Sequence, residues 1–279
     1  MATTERIHNL ITSPLPEATP FVKWAGGKQI IADNLVSYFP KKFTHYFEPF
    51  VGGGSVLLAA RPSSAIVSDQ NEWLIHTYTA IRDDWRSVAK ELDKLPNTKT
   101  DFLRIRKIQP SSLNPTRRAA QFIYLNKTCF RGLFRVNQKG EFNVPYGQYD
   151  RRYYSPQNLE AVSAALKHVT FECGDFEKTA TRAVKGDFVY FDPPYYKLGG
   201  YSDFNRYTSS QFREMDHLRL ASLCNELNDR GVKWAVSNSN TELIRKLFAN
   251  YRLVEISNRR EINLKSKDRS IVELLILNY

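Results

Sequence analysis

No stretch of this 279-residue chain is apolar for anything near the roughly 20 residues that a bilayer-crossing helix needs. Cysteine is scarce: Cys129, Cys173 and Cys224 are odd in number, far apart and in no metal-ligand spacing, which indicates neither a disulfide framework nor a zinc site and fits a reducing cytoplasm. The five histidines are equally scattered, so no metal site is expected. Internal repeats and low-complexity tracts are absent. Residues 1–20 mix charges with prolines and lack an apolar segment, and they read as a flexible lead rather than a secretory signal. Negative charge is in deficit, with 40 Lys and Arg against 29 Asp and Glu and a formal net charge of +11.

What is present is ordinary globular material, 42% hydrophobic and 25% charged. Its positive excess predicts attraction to a polyanion, with nucleic acid the leading partner. The excess is concentrated in the middle third, where Arg104, Arg106, Lys107, Arg117, Arg118, Lys127, Arg131, Arg135, Lys139, Arg151 and Arg152 alternate with aromatics.

The periodicity predicts a helix over 30–39, a strand at Tyr46-Phe47, a helix over 56–60 and a strand at 65–68, which begins a βαβ unit with a glycine-rich first turn. From 73 to 166 the pattern becomes amphipathic, basic and helix-rich, broken at Pro96, Pro110 and Pro115, and reads as an insert. Within it, 134–136 and 141–145 predict a β-hairpin around Lys139-Gly140. Strands are predicted again at 169–173, 188–191, 232–238, 251–257 and 270–277, with helices over 212–230 and 241–249 and a mobile loop at 199–206. The alternation argues for an α/β, doubly wound sheet: a domain made of 21–72 and 167–279, interrupted by the 73–166 insert.

Four motifs carry chemistry. Asp192-Pro193-Pro194-Tyr195 follows the apolar run Phe188-Val189-Tyr190-Phe191, so a buried strand delivers a carboxylate, a carbonyl and an aromatic face to its carboxyl end. An exocyclic amine on a nucleobase is a poor nucleophile because its lone pair is delocalised into the ring. The Asp192 carboxylate and Pro193 carbonyl can each accept one of its N–H groups while Tyr195 stacks on the base, which is catalysis by positioning and preorganised electrostatics. Taken alone, the proline pair reads more simply as the end of a central strand with Tyr195 in the core, and the surrounding motifs must decide.

Gly52-Gly53-Gly54, between a strand and a helix, permits close backbone approach to a ligand, and Asp69 ends the next strand, where a carboxylate takes ribose hydroxyls. The spacing is not that of a dinucleotide fold. Glu48 beside the turn disfavours phosphate and suits the cationic amino-acid portion of S-adenosylmethionine. Gly26-Gly27-Lys28 lacks the upstream glycine and the following Ser or Thr of a phosphate loop, so an NTPase is excluded. The turn from Trp24 through Ala25 to Lys28 is left to contact the cofactor's carboxylate or the DNA. Asp175 is either the N-cap of the next helix or an acceptor for an adenine amino group, with Phe176 alongside.

Together these segments, with Tyr124-Leu125-Asn126-Lys127 and Gly140-Glu141-Phe142-Asn143-Val144-Pro145-Tyr146-Gly147, resemble the Dam-like family of DNA adenine-N6 methyltransferases from Phe21 to Tyr279. The resemblance implies a Rossmann-like methyltransferase sheet, S-adenosylmethionine as cofactor and double-stranded DNA as partner, with a flipped adenine methylated on N6. It implies that Trp24, Ala25, Lys28, Glu48, Gly52, Asp69, Asp175 and Phe176 contact the cofactor, while Asp192, Pro193 and Tyr195 serve the base. The insert becomes a target-recognition unit: Phe130 wedges into the vacated stack, Arg135 reads guanine, Leu133 and Pro145 touch thymine methyls, Lys28 touches an outer guanine, and Arg131 and Asn137 lie in the same DNA-binding hairpin. Arg131 stands where asparagine is expected, so extrusion or sequence choice can differ. A GATC-like target, a monomer and a cytoplasmic, nucleoid-associated protein of a bacterium or phage complete the expectation. The rivals are methylation of cytosine N4 or of RNA adenine, and a catalytically silent DNA-binding module.

Overall fold

The computed structural model describes residues 16–137, 139–196, 212–259 and 270–279; most of the expected flexible lead and the expected loop at 199–206 lie outside the described residues. Seven strands form one sheet: β1 (Tyr46–Glu48), β2 (Ala65–Asp69), β3 (Val169–Cys173), β4 (Phe188–Phe191), β5 (Lys233–Ser239), β6 (Arg252–Arg259) and β7 (Ser270–Leu277), in the order β3-β2-β1-β4-β5-β7-β6. The pairs from β3 through β5 are parallel, and β7 runs antiparallel to both of its neighbours. The chain winds outward from β1 to β3, then returns to place β4 on the other side of β1. That reversal makes the doubly wound sheet expected from the alternation, with its ligand-binding switch point between the carboxyl ends of β1 and β4.

The nine helices named here are α1 (Ala32–Ser37), α2 (Ser55–Ala60), α3 (Glu72–Asp93), α4 (Lys99–Arg106), α5 (Pro115–Thr128), α6 (Pro156–Ala165), α7 (Phe176–Ala180), α8 (Glu214–Asp229) and α9 (Glu242–Leu247). Side-chain caps explain where several begin. Asn71, Thr98, Asn114 and Ser155 each accept a backbone N–H three residues on, and Pro115 and Pro156 occupy the first turn, where no amide donor is needed. The first helix is shorter than its periodicity predicts, because the Lys28 carbonyl takes the Ile31 N–H in a preceding turn.

Strand alternation divides the apolar interior into two halves. Phe188 and Tyr190 of β4 face the half shared with α1, α2, α3 and α5, whereas Val189 and Phe191 face the half built with α8 and Trp234. The first half is continuous from Phe21 through Leu57 to Phe122, Phe134 and Val162, so residues of the 73–166 segment bury their apolar faces against the sheet and the N-terminal segment. The expected hairpin is present but narrow: Val136 bridges Phe142, and the Asn137 side-chain Oδ1 accepts the N–H groups of Lys139 and Glu141 to hold the turn. Among the described residues no helix is long and apolar enough to cross a membrane.

Gly54 begins α2 in the left-handed region (φ 70°), and an added Cβ would lie 2.5 Å from the Tyr78 hydroxyl. Tyr78 is fully buried and donates to the Gly52 carbonyl at 3.0 Å, so it has no room to retreat. Gly54→Ala is therefore expected to lower the unfolding free energy by about 2–4 kcal/mol, through left-handed strain and overpacking. Urea denaturation checks this, and an unchanged midpoint would contradict it.

Candidate active site

Because β1 to β4 are parallel, Glu48, Asp69, Asp175 and Asp192 all fall at the same edge of the sheet: the first two end β1 and β2, and the others follow β3 and β4. Four acids from distant parts of the chain thus line one edge of the sheet. Within β1 the period of two also puts Tyr46 on the side of Glu48, and its hydroxyl donates to Glu48 Oε2 at 2.8 Å.

Asp192 is the centre of this arrangement. The Lys28 ammonium lies 2.9 Å from Asp192 Oδ1 and donates to the Gly26 carbonyl at 2.7 Å, with the lysine only 4% exposed. Asp192 Oδ1 is sealed from solvent, and among the described residues its close polar partner is the Lys28 ammonium, so a carboxylate lone pair is left over. The same ammonium stands 4.5 Å from the centre of the Tyr195 ring. Tyr195 in turn donates its hydroxyl to Glu273 Oε2 at 2.8 Å, reaching across to the reversed strand β7. Residues 28, 192, 195 and 273 meet only through the fold.

Burial raises the Asp192 carboxyl to about 6; Lys28 pulls it down and the Glu273 charge pushes it up. Burial also pushes Glu48 well above the usual carboxylate range, opposed by the Tyr46 hydrogen bond and reinforced by Asp192.

The glycine turn is built on Asp69 and Trp24. Asp69 Oδ2 accepts the Gly52 N–H at 3.1 Å and Oδ1 the Asn71 N–H at 2.8 Å, while burial outweighs these bonds and lifts its carboxyl to about 6. A Cβ on Gly52 or Gly53 would sit 2.8 or 3.0 Å from Trp24 atoms, so glycine is what lets the indole lie against this turn. On its other flank Trp24 stacks with Phe134 (6.1 Å, 24°), tying the hairpin to the crevice. Ala25 lies within the turn that the Gly27 N–H closes onto the Trp24 carbonyl.

Of the two readings open for Asp175, the cap is present: its Oδ1 accepts the Glu177 N–H and the Arg219 guanidinium, each at 3.0 Å. Phe176 is 1% exposed and stacks on Phe50 (5.2 Å, 27°).

At the hairpin, Phe130 is 47% exposed, although large aromatics are normally covered. Its N–H donates to the exposed Pro145 carbonyl at 2.7 Å. Arg131 occupies the left-handed region (φ 57°), held there as its N–H donates to the Tyr149 hydroxyl, and its guanidinium stacks 5.2 Å from the Phe130 ring. Arg135 is exposed, with Nε donating to Asn143 Oδ1; Leu133 is half-buried against the core, and Asn137 uses its side chain on the turn.

A model of the D12 class N6 adenine-specific DNA methyltransferases matches residues 24–262, most of the chain. The chain belongs to that family. It is 39% identical over 288 residues to the type II methyltransferase M.MjaIII of Methanocaldococcus jannaschii, covering 94% of this chain and all of that one. It is 34% identical to the type II methyltransferase M1.LlaDCHI of Lactococcus lactis subsp. cremoris (97% and 99% covered) and 33% identical to the DNA adenine methylase of Escherichia coli K12 (93% and 94%). The expected adenine-specific DNA methyltransferase family, fold class and enzyme class are therefore established.

In this methyltransferase several residues beyond the motifs shape the site. Buried Asn126 accepts the Lys23 N–H and donates to the Lys23 and Gly132 carbonyls, stapling the N-terminal segment to the hairpin. Asn238 Oδ1 and Ser239 Oγ at the end of β5 hold the Tyr196 N–H and carbonyl, which fixes the residue after Tyr195. Tyr46 was accessible from strand periodicity; Glu273 had no sequence signal, being one acid in a C-terminal strand. Glu273→Gln, which keeps an acceptor for the phenol, is expected to lower kcat about 3–10-fold, and Glu273→Ala more, because the Tyr195 hydroxyl loses the partner that fixes its ring. Steady-state methyl transfer checks this; wild-type turnover in Glu273→Ala would refute it.

Proposed function

We propose that this methyltransferase moves the methyl group of S-adenosylmethionine to N6 of an adenine flipped out of double-stranded DNA, at a GATC-like site, acting as a monomer on DNA in the cytoplasm. The observation that carries the reading is the solvent-sealed Asp192 Oδ1, held by the buried Lys28 ammonium that also faces the Tyr195 ring, at the switch point of the sheet.

The residues at the crevice fit the cofactor. Glu48 suits a cationic amino-acid end and Asp69 suits ribose hydroxyls, the glycine turn Gly52-Gly53 lies between their strands, and Asp175 and Phe176 are assigned to the adenine end, with Trp24, Ala25 and Lys28 completing the set. When bound, S-adenosylmethionine supplies an electrophilic methyl carbon on a sulfonium. Asp192 and the Pro193 carbonyl accept the two N6 hydrogens and draw the nitrogen toward tetrahedral geometry, and Tyr195 stacks on the base. The Lys28 ammonium, which faces both Asp192 and the Tyr195 ring, gives way as N6 arrives. The N6 proton passes to Asp192 as the new bond forms.

Residues 73–166 serve as the target-recognition unit. Exposed Phe130, backed by Arg131, enters the vacated stack and offsets the few kcal/mol of extrusion. Arg135 reads guanine, Leu133 and Pro145 meet thymine methyls, and Asn137 keeps the hairpin in register. The test is mass analysis of nucleosides from duplex DNA treated with enzyme and methyl-labelled cofactor. Label on N6-methyladenine is expected; label only on N4-methylcytosine, or none, would overturn the assignment, and protection mapping of the product identifies the site.

A further inference from the structure

Past Asp192 the chain leaves β4 through Pro193 and Pro194, which carry no N–H, so this stretch cannot be pinned to a neighbouring strand by its own amides. The residues after it take over that task. Tyr195 is tied by its hydroxyl to Glu273, and Tyr196 is gripped at its backbone and its ring. The Tyr196 N–H donates to Asn238 Oδ1 at 3.3 Å, its carbonyl accepts from Ser239 Oγ at 2.6 Å, and its hydroxyl donates to Glu214 Oε2 at 3.3 Å.

Asn238 is completely buried, so whatever orients its amide decides whether the grip holds. Its Oδ1 faces the backbone N–H groups of Tyr196 and Ser239, the second at 2.8 Å, and these can only donate. The NH2 end is therefore the one that points at His217 Nδ1, 3.5 Å away in the first turn of α8. His217 is 1% exposed, and its ring meets the Tyr196 ring edge-on at 5.6 Å and the Phe212 ring at 4.8 Å. Because Nδ1 accepts, the ring proton sits on Nε2, which is buried and has no hydrogen-bond partner among the described residues. A buried donor left unpaired is destabilising, and an apolar side chain in the same aromatic cage would avoid that cost. What imidazole adds at this place is its other nitrogen.

We propose that His217 is a positioning residue for methyl transfer: its bare Nδ1 fixes the Asn238 amide, the amide fixes the Tyr196 backbone, and Tyr196 holds the Asp192 to Tyr195 segment against the reacting base. The inference rests on the reading that this segment holds the base, and it extends that reading to a group on α8 that acts through Asn238. Burial holds the imidazole down to about 4 against the pull of Asp216, so at neutral pH the ring is uncharged and able to accept.

The test is labelled-methyl transfer under single-turnover and steady-state conditions, with duplex affinity by anisotropy and cofactor affinity by calorimetry on the same preparations. His217→Leu is expected to lower kcat by about tenfold while both dissociation constants stay within about twofold of wild type, because only the alignment of the reacting groups is lost. His217→Gln, whose Oε1 can accept from the Asn238 amide, is expected to bring kcat back to within about threefold of wild type. In a double-variant cycle, His217→Leu with Asn238→Ala costs no more than Asn238→Ala alone, since both cut one chain of contacts. NMR of the ring nitrogens in histidine-labelled wild-type enzyme, with the His217 signal identified by its loss in His217→Gln, is expected to show a hydrogen-free Nδ1. A proton on Nδ1, wild-type kcat in His217→Leu, equal losses in the Leu and Gln variants, or additive losses in the cycle would each overturn the role. Asp192→Ala is run alongside: full transfer in that variant overturns the reading of the base-holding segment, whereas an inactive Asp192→Ala beside a fully active His217→Leu overturns the role of His217 alone.

Discussion

Asp192→Ala is expected to lose methyl transfer by on the order of 10³-fold or more in kcat/KM while still binding duplex DNA. Three groups could be imagined to substitute for it, and the structure argues against each. Glu48 is engaged by the Tyr46 hydroxyl, Asp69 by two backbone N–H groups, and Glu273 by the Tyr195 hydroxyl. None follows β4, the strand that presents Asp192 and Pro193 together. Asp192→Asn separates shape from charge: it keeps an acceptor oxygen but loses the partner of Lys28 and the ability to receive the N6 proton, so it should retain a trace of turnover above Ala. Labelled-methyl transfer and anisotropy on the same preparations decide the matter. Transfer within tenfold of wild type in Asp192→Ala would remove this carboxylate from the mechanism.

Lys28→Met is expected to move the acid limb of kcat/KM upward. The limb reports ionisation of essential groups in the free enzyme, and on the proposed mechanism Asp192, held near 6, must be ionised to accept from N6. In the free enzyme activity therefore rises with pH through about 6. Burial alone would place the carboxyl higher, and the ammonium 2.9 Å away is what draws it down. Removing that charge leaves burial and Glu273 acting together, so the midpoint climbs and activity at neutral pH falls by roughly tenfold for each pH unit of displacement beyond neutrality. Freer entry of the base, with Lys28 gone, could raise the plateau but cannot lower the midpoint. A midpoint unchanged or shifted toward acid would show that Lys28 does not set the charge of Asp192.

The sheet was legible because its information is local. The four-residue run before Asp192 is buried on both faces, as an uninterrupted apolar strand must be, and caps such as Asn114-Pro115 and Ser155-Pro156 mark helix starts within a turn. The predicted strand at 270–277 has the observed bounds, whereas its antiparallel insertion between β5 and β6 left no trace in composition. The motifs at 48, 52, 69 and 192 announced which residues gather at the carboxyl edge, since parallel winding sends every strand's end to the same side.

What the chain alone determined, then, was the class of fold, the family and the chemical types at the site, because these follow from short-range periodicity and ordered motifs. The tertiary structure alone decided the partners. It turned Lys28 inward onto Asp192, joined Glu273 to the Tyr195 hydroxyl, set Asp175 as a helix cap and collected Lys23 and Arg151 around Tyr149. The reason is electrostatic as much as geometric: ionisation depends on burial and on charges a few ångströms away, and distances between residues up to 245 positions apart exist only once the sheet has closed over its core.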